Sequence, residues 1–120
     1  MTANSSHTLI CSLSELADPG AYEFSVGEGA WPLQGFVVRF QDELHAYENS
    51  CPHLGVPLNY RPHEFFAPYE PLLQCSVHGA LFVPNTGRCV AGPCAGKKLR
   101  ELEIETINGY LYLRSHPDVL

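Results

Sequence analysis

Long apolar runs are missing. No stretch reaches the about 18 consecutive apolar residues that a bilayer-spanning helix needs, so the sequence predicts no membrane segment. The opening MTANSSHTLI has no basic patch followed by an apolar stretch. That predicts a chain without a secretory signal, working in the cytoplasm. Positive charge is scarce too: Lys and Arg number 7 against 13 Asp and Glu, for a net charge of −6. Nucleic acid is therefore not expected as a partner, because phosphate backbones are bound mainly by excess positive charge. The same balance suits docking on a basic protein surface. No internal repeat, linker or low-complexity segment interrupts the 120 residues, and that length predicts one domain over 1–120 with one modest core. Also absent are a phosphate-binding Gly loop, a Ser-His-Asp set and a paired-carboxylate site. No catalytic residue is assigned.

What is there reads as an all-β fold, with short strand candidates separated by turn signals. HTLICSL (7–13) is a first strand, SELADPG a helical turn or loop broken by Pro19-Gly20, and AYEFSV (21–26) a second strand. GFVVRF (35–40) and LHAYEN (44–49) read as a hairpin across QDE, and ALFV (80–83) and RCV (88–90) flank the turn PNTG. LRELEIET (99–106) alternates Leu102 and Ile104 with Glu103 and Glu105, as one half-buried strand would. Asn108-Gly109 then turns the chain into YLYLR (110–114).

Five cysteines, an odd number, occur without a secretory signal. A disulfide framework is therefore not expected, and metal binding or burial becomes the better reading. Two stretches stand out. SCPHLGVPL places Cys51 two residues before His53, and QCSVHGALF places Cys75 three residues before His78. Both loops adjoin strand candidates, and 21 residues separate His53 from Cys75. Two thiolates and two imidazoles fit a tetrahedral zinc ion. They equally fit a two-iron, two-sulfide cluster with both Cys on one iron and both His on the other. Structural zinc sites usually pair like with like within a knuckle, whereas each loop here mixes the two ligand types, as a cluster spanned by both loops requires. Gly55 and Gly79 would let backbone amides approach the bridging sulfides.

CPH…CSVHGALF followed by TGRCVAGPCAGKKL resembles the Rieske [2Fe-2S] iron–sulfur family, of the soluble ferredoxin type found in oxygenase systems, over essentially the whole chain. The resemblance implies an all-β, antiparallel sandwich or barrel base with a small cluster-binding subdomain, here about 50–95. It implies one [2Fe-2S] cluster held by Cys51, His53, Cys75 and His78, with the two His at an exposed tip as the electron exit. It implies that AGPCAG is a third loop closing over the cluster, with Pro93 as its apolar cover. The function implied is one-electron transfer, from a flavin-dependent reductase to a terminal non-haem iron oxygenase, as a component of an oxidoreductase system. The alternatives are a Rieske-like small subunit of a nitrite-reductase-type complex, bound to a larger reductase subunit, and a zinc-stabilised interaction module. Respiratory-type members carry a disulfide between the cluster loops, but the matching positions here are Val56 and Val77. They also place hydroxyl donors where this chain has Ala80 and Phe82. Hydrogen bonds to the sulfurs favour the more negative, reduced cluster, so their loss predicts a potential in the lower part of the Rieske range. The 21-residue spacer is longer than in simple ferredoxins.

The remaining residues have plainer readings. Cys89 and Cys94 pack near the third loop, with a disulfide or redox role as the alternative, and Cys11 is core. His7, His45, His63 and His116 have no Cys partner nearby and are not expected to be ligands. The spacer aromatics Tyr60, Phe65, Phe66 and Tyr69 form either a flap packed on the cluster subdomain or a docking surface. Trp31 reads as a loop anchor and GKKLR as a solvated basic patch.

Overall fold

The structure is a computed structural model and describes residues 7–27, 33–52, 55–76 and 79–114. Among the described residues, ten strands form three antiparallel sheets. The outer sheet has the order β1 (His7–Ser12), β10 (Tyr110–Arg114), β9 (Ile104–Ile107). The middle sheet runs β2 (Gly20–Val26), β3 (Leu33–Phe40), β4 (Glu43–Glu48), β8 (Glu101–Leu102). The third, small sheet is β5 (Leu73–Gln74), β6 (Leu81–Phe82), β7 (Cys89–Ala91). The only helix among the described residues is a single 3-10 turn, Leu13–Glu15. None is therefore long and apolar enough to cross a membrane.

The middle sheet is buried on both faces, and this organises the molecule. Successive side chains of a strand point to opposite faces. In β3, Phe36 and Val38 enter one core while Val37 enters the other. In β4, Tyr47 faces the first core and Ala46 the second. The run Phe36-Val37-Val38 is apolar without alternation because neither face meets water. One core joins the middle sheet to the outer sheet through Ile10, Cys11, Phe24, Leu102, Leu111 and Leu113. The other joins it to the small sheet and its loops.

Two tight turns hold the base. The β3–β4 hairpin turns through Gln41 (φ 53°) and Asp42 (φ 65°), a left-handed pair whose twist matches that of the strands. Both turn amides donate to the Asp18 carboxylate, at 3.0 and 2.8 Å, which offsets the cost of left-handed backbone at two residues without glycine. Asn108 (φ 51°) and Gly109 (φ 83°) make the corresponding turn between β9 and β10. One strand reading needs correction. The segment 99–106 is not one strand: the chain changes sheet at Glu103. Leu102 pairs with Ala46 in the middle sheet, and Ile104 pairs with Leu113 in the outer sheet. The alternation was real, since both side chains reach the same core. It spans a corner between two sheets, and periodicity alone does not reveal a corner. β5 was not foreseen, because its two residues are too short to show a period.

Candidate functional site

The two Cys-His loops close in the same way. In the first, the Cys51 N–H donates to the Val56 carbonyl (2.7 Å) and the Gly55 N–H donates back to the Cys51 carbonyl (2.7 Å). In the second, the Cys75 N–H donates to Ala80 (2.8 Å) and the Gly79 N–H donates back to Cys75 (2.9 Å). Each loop is thus a one-turn loop closed by a bond from residue i+4 to i, tied off by a second bond from i to i+5. Gly55 (φ 73°) and Gly79 (φ 70°) occupy left-handed backbone at the same place in each loop. Among the described residues, a Cβ at either glycine would meet nothing closer than 3.9 Å. The left-handed backbone is what favours glycine here. The two glycine amides are committed to the Cys carbonyls, so they are not the amides that would face bridging sulfides.

This repeated closure places both thiols in one buried core. Cys51 (2% exposed) and Cys75 (0%) belong to the same buried core, which also contains Ala80 and Phe82. Both are free of disulfides. A buried, unbridged thiol pair on matched loops is the donor set a thiolate-bound metal centre uses. His53, His78 and Val77 lie outside the described residues; Val56 is half-buried against the Cys51–Cys75 core.

The third loop packs against the second. Its base is pinned by Cys89 N–H to Lys97 O (2.8 Å) and Gly96 N–H to Cys89 O (3.2 Å). Gly92 (φ 96°) sits so close to the second loop that a Cβ there would lie 2.8 Å from the Ala80 Cα. Pro93, the expected cover, is exposed, and the side chain that this loop buries is Cys94 (1% exposed). The Cys94 thiol donates to Cys89 Sγ at 3.0 Å, and the Cys89 thiol donates to the Ala91 carbonyl at 3.2 Å. Burial, followed by the contacts with Cys89 and Cys51, pushes the Cys94 thiol up to about 12. Sequence reasoning placed Cys89 and Cys94 near the third loop, and their sulfurs lie 3.0 Å apart there. Cys11, on the far side of the molecule, is buried in the other core, and burial followed by the nearby Glu15 raises it to about 11.

The spacer divides its aromatics. Phe65 is buried and stacks on Phe36 with ring centroids 4.0 Å apart, and Phe66 packs at 6.0 Å from Phe40. Tyr60 and Tyr69 are 85% and 95% exposed. A polar ladder fastens the segment to the middle sheet. Asn49 accepts from the Leu58 N–H (2.8 Å) and donates to Asn59 Oδ1 (2.9 Å). Asn59 donates to the Glu23 carboxylate (3.0 Å), which also accepts the His63 N–H (3.2 Å). His63 Nδ1 accepts the Glu23 N–H at 3.0 Å, and its ring lies against Tyr22. His63 is thus an anchor of the spacer. His45 bonds Glu43 at 3.0 Å on the surface. In GKKLR, Lys97 and Lys98 are exposed, Leu99 is buried, and Arg100 lies 3.9 Å from Glu48. Trp31 and His116 lie outside the described residues, and so does the side chain of His7.

Comparison with known proteins agrees with this geometry. No curated protein matches the sequence. Among solved structures, the chain is similar to the ferredoxin of carbazole 1,9a-dioxygenase from Nocardioides aromaticivorans IC177, at TM-score 0.68 and 20% identity over 90% of this chain and 96% of that one. It is similar to a Sphingomonas yanoikuyae B1 ferredoxin at TM-score 0.66 and 18% identity, covering 92% of this chain and 100% of that one. It also matches a chain in a complex of reduced oxygenase and oxidised ferredoxin of carbazole 1,9a-dioxygenase, at TM-score 0.66 and 25% identity, over 90% of this chain and 92% of that one. A quaternary ammonium Rieske monooxygenase shares the fold at TM-score 0.71 and 18% identity, but only 32% of that chain is covered. The model of the Rieske [2Fe-2S] domain matches residues 6–114, so the chain belongs to that family.

Proposed function

We propose that this protein is a one-electron carrier whose Rieske [2Fe-2S] cluster is held by Cys51 and Cys75 on the inner iron and by His53 and His78 on the outer one. The cluster supplies the one-electron exchange. The observation that carries the reading is the matched closure of the two loops around buried, unbridged Cys51 and Cys75. That closure fits a centre gripped symmetrically from two sides. It fits a zinc knuckle poorly, because there the two thiolates come from one turn. The remaining residues of the site exclude water: Ala80, Phe82 and Leu58 are fully buried in the core that holds the thiols, and the third loop packs against Ala80.

The circuit we propose runs from a flavin-dependent reductase, through this chain, to a terminal oxygenase, in the cytoplasm. Likeness to ferredoxins over nearly their whole length supports the carrier role, and the relative crystallised with its oxygenase supports the acceptor. Reconstitution tests it. A flavin-dependent reductase and a terminal oxygenase from the same source should turn over with NADH only when the chain is present. Equal turnover without it contradicts the circuit, and stoichiometric co-purification with one large reductase subunit favours the nitrite-reductase-type complex instead.

A further inference from the structure

We propose that Asn49 is a positioning residue for the cluster: its buried side chain couples the two Cys-His loops and so fixes the spacing of Cys51 from Cys75. The proposal rests on the reading of those two cysteines as iron ligands. Asn49 is the one amide or charged side chain buried among the described residues, at 6% exposure. It lies two residues before Cys51. Its backbone N–H is committed to the Gln34 carbonyl of β3 at 2.8 Å, which ties the entry of the first loop to the middle sheet. The side chain then reaches the exit of the same loop, where Asn49 Oδ1 accepts the Leu58 N–H at 2.8 Å. The first loop is thus closed twice, by the Cys51–Val56 bond within and by the Asn49–Leu58 bond around it.

Leu58 passes the restraint to the second loop. Its carbonyl accepts the Ser76 N–H at 2.7 Å, and Ser76 directly follows Cys75. On the other side of Cys75, the Gln74 N–H donates to the Phe65 carbonyl at 2.8 Å. The backbone of Leu58 therefore holds one loop by its N–H and the other by its carbonyl. Leu58 is fully buried in the core that holds both thiols. With an apolar side chain at position 49, its N–H would lose its partner where water cannot replace it, and the loop exit would have to move to find another. Residues behind a metal centre that orient its ligands control its affinity and its geometry. The other end of the Asn49 amide donates to Asn59, and through it reaches Glu23. That branch fastens the spacer, whereas the Leu58 branch fastens the loops. Glu23→Ala separates the two, because it cuts the spacer branch and leaves both bonds of the Asn49 side chain in place.

The test compares wild type, Asn49→Leu, Asn49→Asp and Glu23→Ala, each loaded with the cluster. Asn49→Leu removes the acceptor, and Asn49→Asp keeps an oxygen for the Leu58 N–H. Under excess iron chelator, Asn49→Leu should release its iron about tenfold faster than wild type, with Asn49→Asp and Glu23→Ala within about threefold. EPR of the reduced proteins separates positioning from simple loss of stability. A spread of Cys51–Cys75 spacings should broaden the g-values of Asn49→Leu and leave those of Glu23→Ala as sharp as wild type. A wild-type spectrum in Asn49→Leu overturns the proposal, as do equal release rates in the Leu and Asp variants. Residue-resolved hydrogen exchange on the wild type needs no variant to fold: the Leu58 and Ser76 amides should be protected to the level of the core strands. Fast exchange at either overturns it too. Failure of the ligand reading looks different: Cys51→Ser would then keep its iron.

Discussion

The two faces of the middle sheet bury cysteine to different ends. On the outer-sheet face, Cys11 sits in β1 among Ile10, Leu111 and Leu113. It occupies a strand whose register shifts between Leu9 and Cys11 without forming a loop. On the opposite face, Cys51, Cys75, Cys89 and Cys94 share one core, and each belongs to a loop or to the short strand that leads into one. Burial is similar on both faces, so burial does not make a ligand. What differs is the backbone. A strand commits its amides to a ladder and spaces its side chains evenly. A loop closed on a left-handed glycine directs a thiol and its neighbours to one point.

The largest expected effect breaks this comparison most sharply. Cys51→Ser and Cys75→Ser should each abolish stable cluster assembly, because a hydroxyl is a poor substitute for a thiolate on iron. Cys11→Ser should retain full iron and sulfide and lose only about 1–3 kcal/mol of stability for burying a hydroxyl. Iron and labile-sulfide analysis beside thermal melts checks both. Loss of iron in Cys11→Ser would mean that the two faces are not independent.

Next in size is the seal of the third loop. Gly92→Ala forces a Cβ to 2.8 Å from the Ala80 Cα at φ 96°, and should cost about 3 kcal/mol. Gly96→Ala, in the same loop at φ 92° with nothing within 4 Å, carries only the conformational cost of about 1 kcal/mol. Denaturant unfolding of the pair separates contact from conformation. Equal losses would deny the close approach.

Cys11 also gives the outer face a pH signature. Its pKa rises from 9.0 to about 11 on folding, because burial opposes the thiolate. The folded state then holds the proton more tightly than the unfolded one. Its contribution is complete below pH 9 and is lost as pH rises towards 11. A two-unit shift corresponds to about 2–3 kcal/mol at most. Unfolding of wild type and Cys11→Ala between pH 8 and pH 11 should converge as alkalinity increases. A constant gap would show that the thiol titrates alike in both states.

The smallest effect concerns tuning. Ala80→Ser with Phe82→Tyr adds two hydroxyls beside the thiols and should favour the reduced state by about 1 kcal/mol, or several-fold in its equilibrium. An unchanged potential with the cluster intact would contradict the expectation that missing hydroxyl donors lower it.

Much of this was legible in the sequence, for identifiable reasons. Alternation and turn residues located β2, β3, β4 and β10 to within two residues, because those strands are long and bounded by Pro19-Gly20, Gln41-Asp42 and Asn108-Gly109. The mixed Cys-His spacing pointed to the loops that close alike around Cys51 and Cys75. The corner at Glu103 was hidden, because alternation continues through a change of sheet when both flanking residues face one core. The polar ladder of Asn49, Asn59, Glu23 and His63 was hidden as well: its members lie up to 40 residues apart and belong to no local pattern. The spacer offered two readings that proved compatible, with Phe65 and Phe66 packed inward and Tyr60 and Tyr69 left facing out.

Metal analysis joined to pulsed EPR on the anaerobically reduced protein tests the central claim most directly. The account predicts two irons and two labile sulfides per chain, an average g below the free-electron value, and two strongly coupled nitrogens that vanish one at a time in His53→Cys and His78→Cys. One zinc without iron in freshly isolated protein, or an iron signal with no nitrogen coupling, would contradict it.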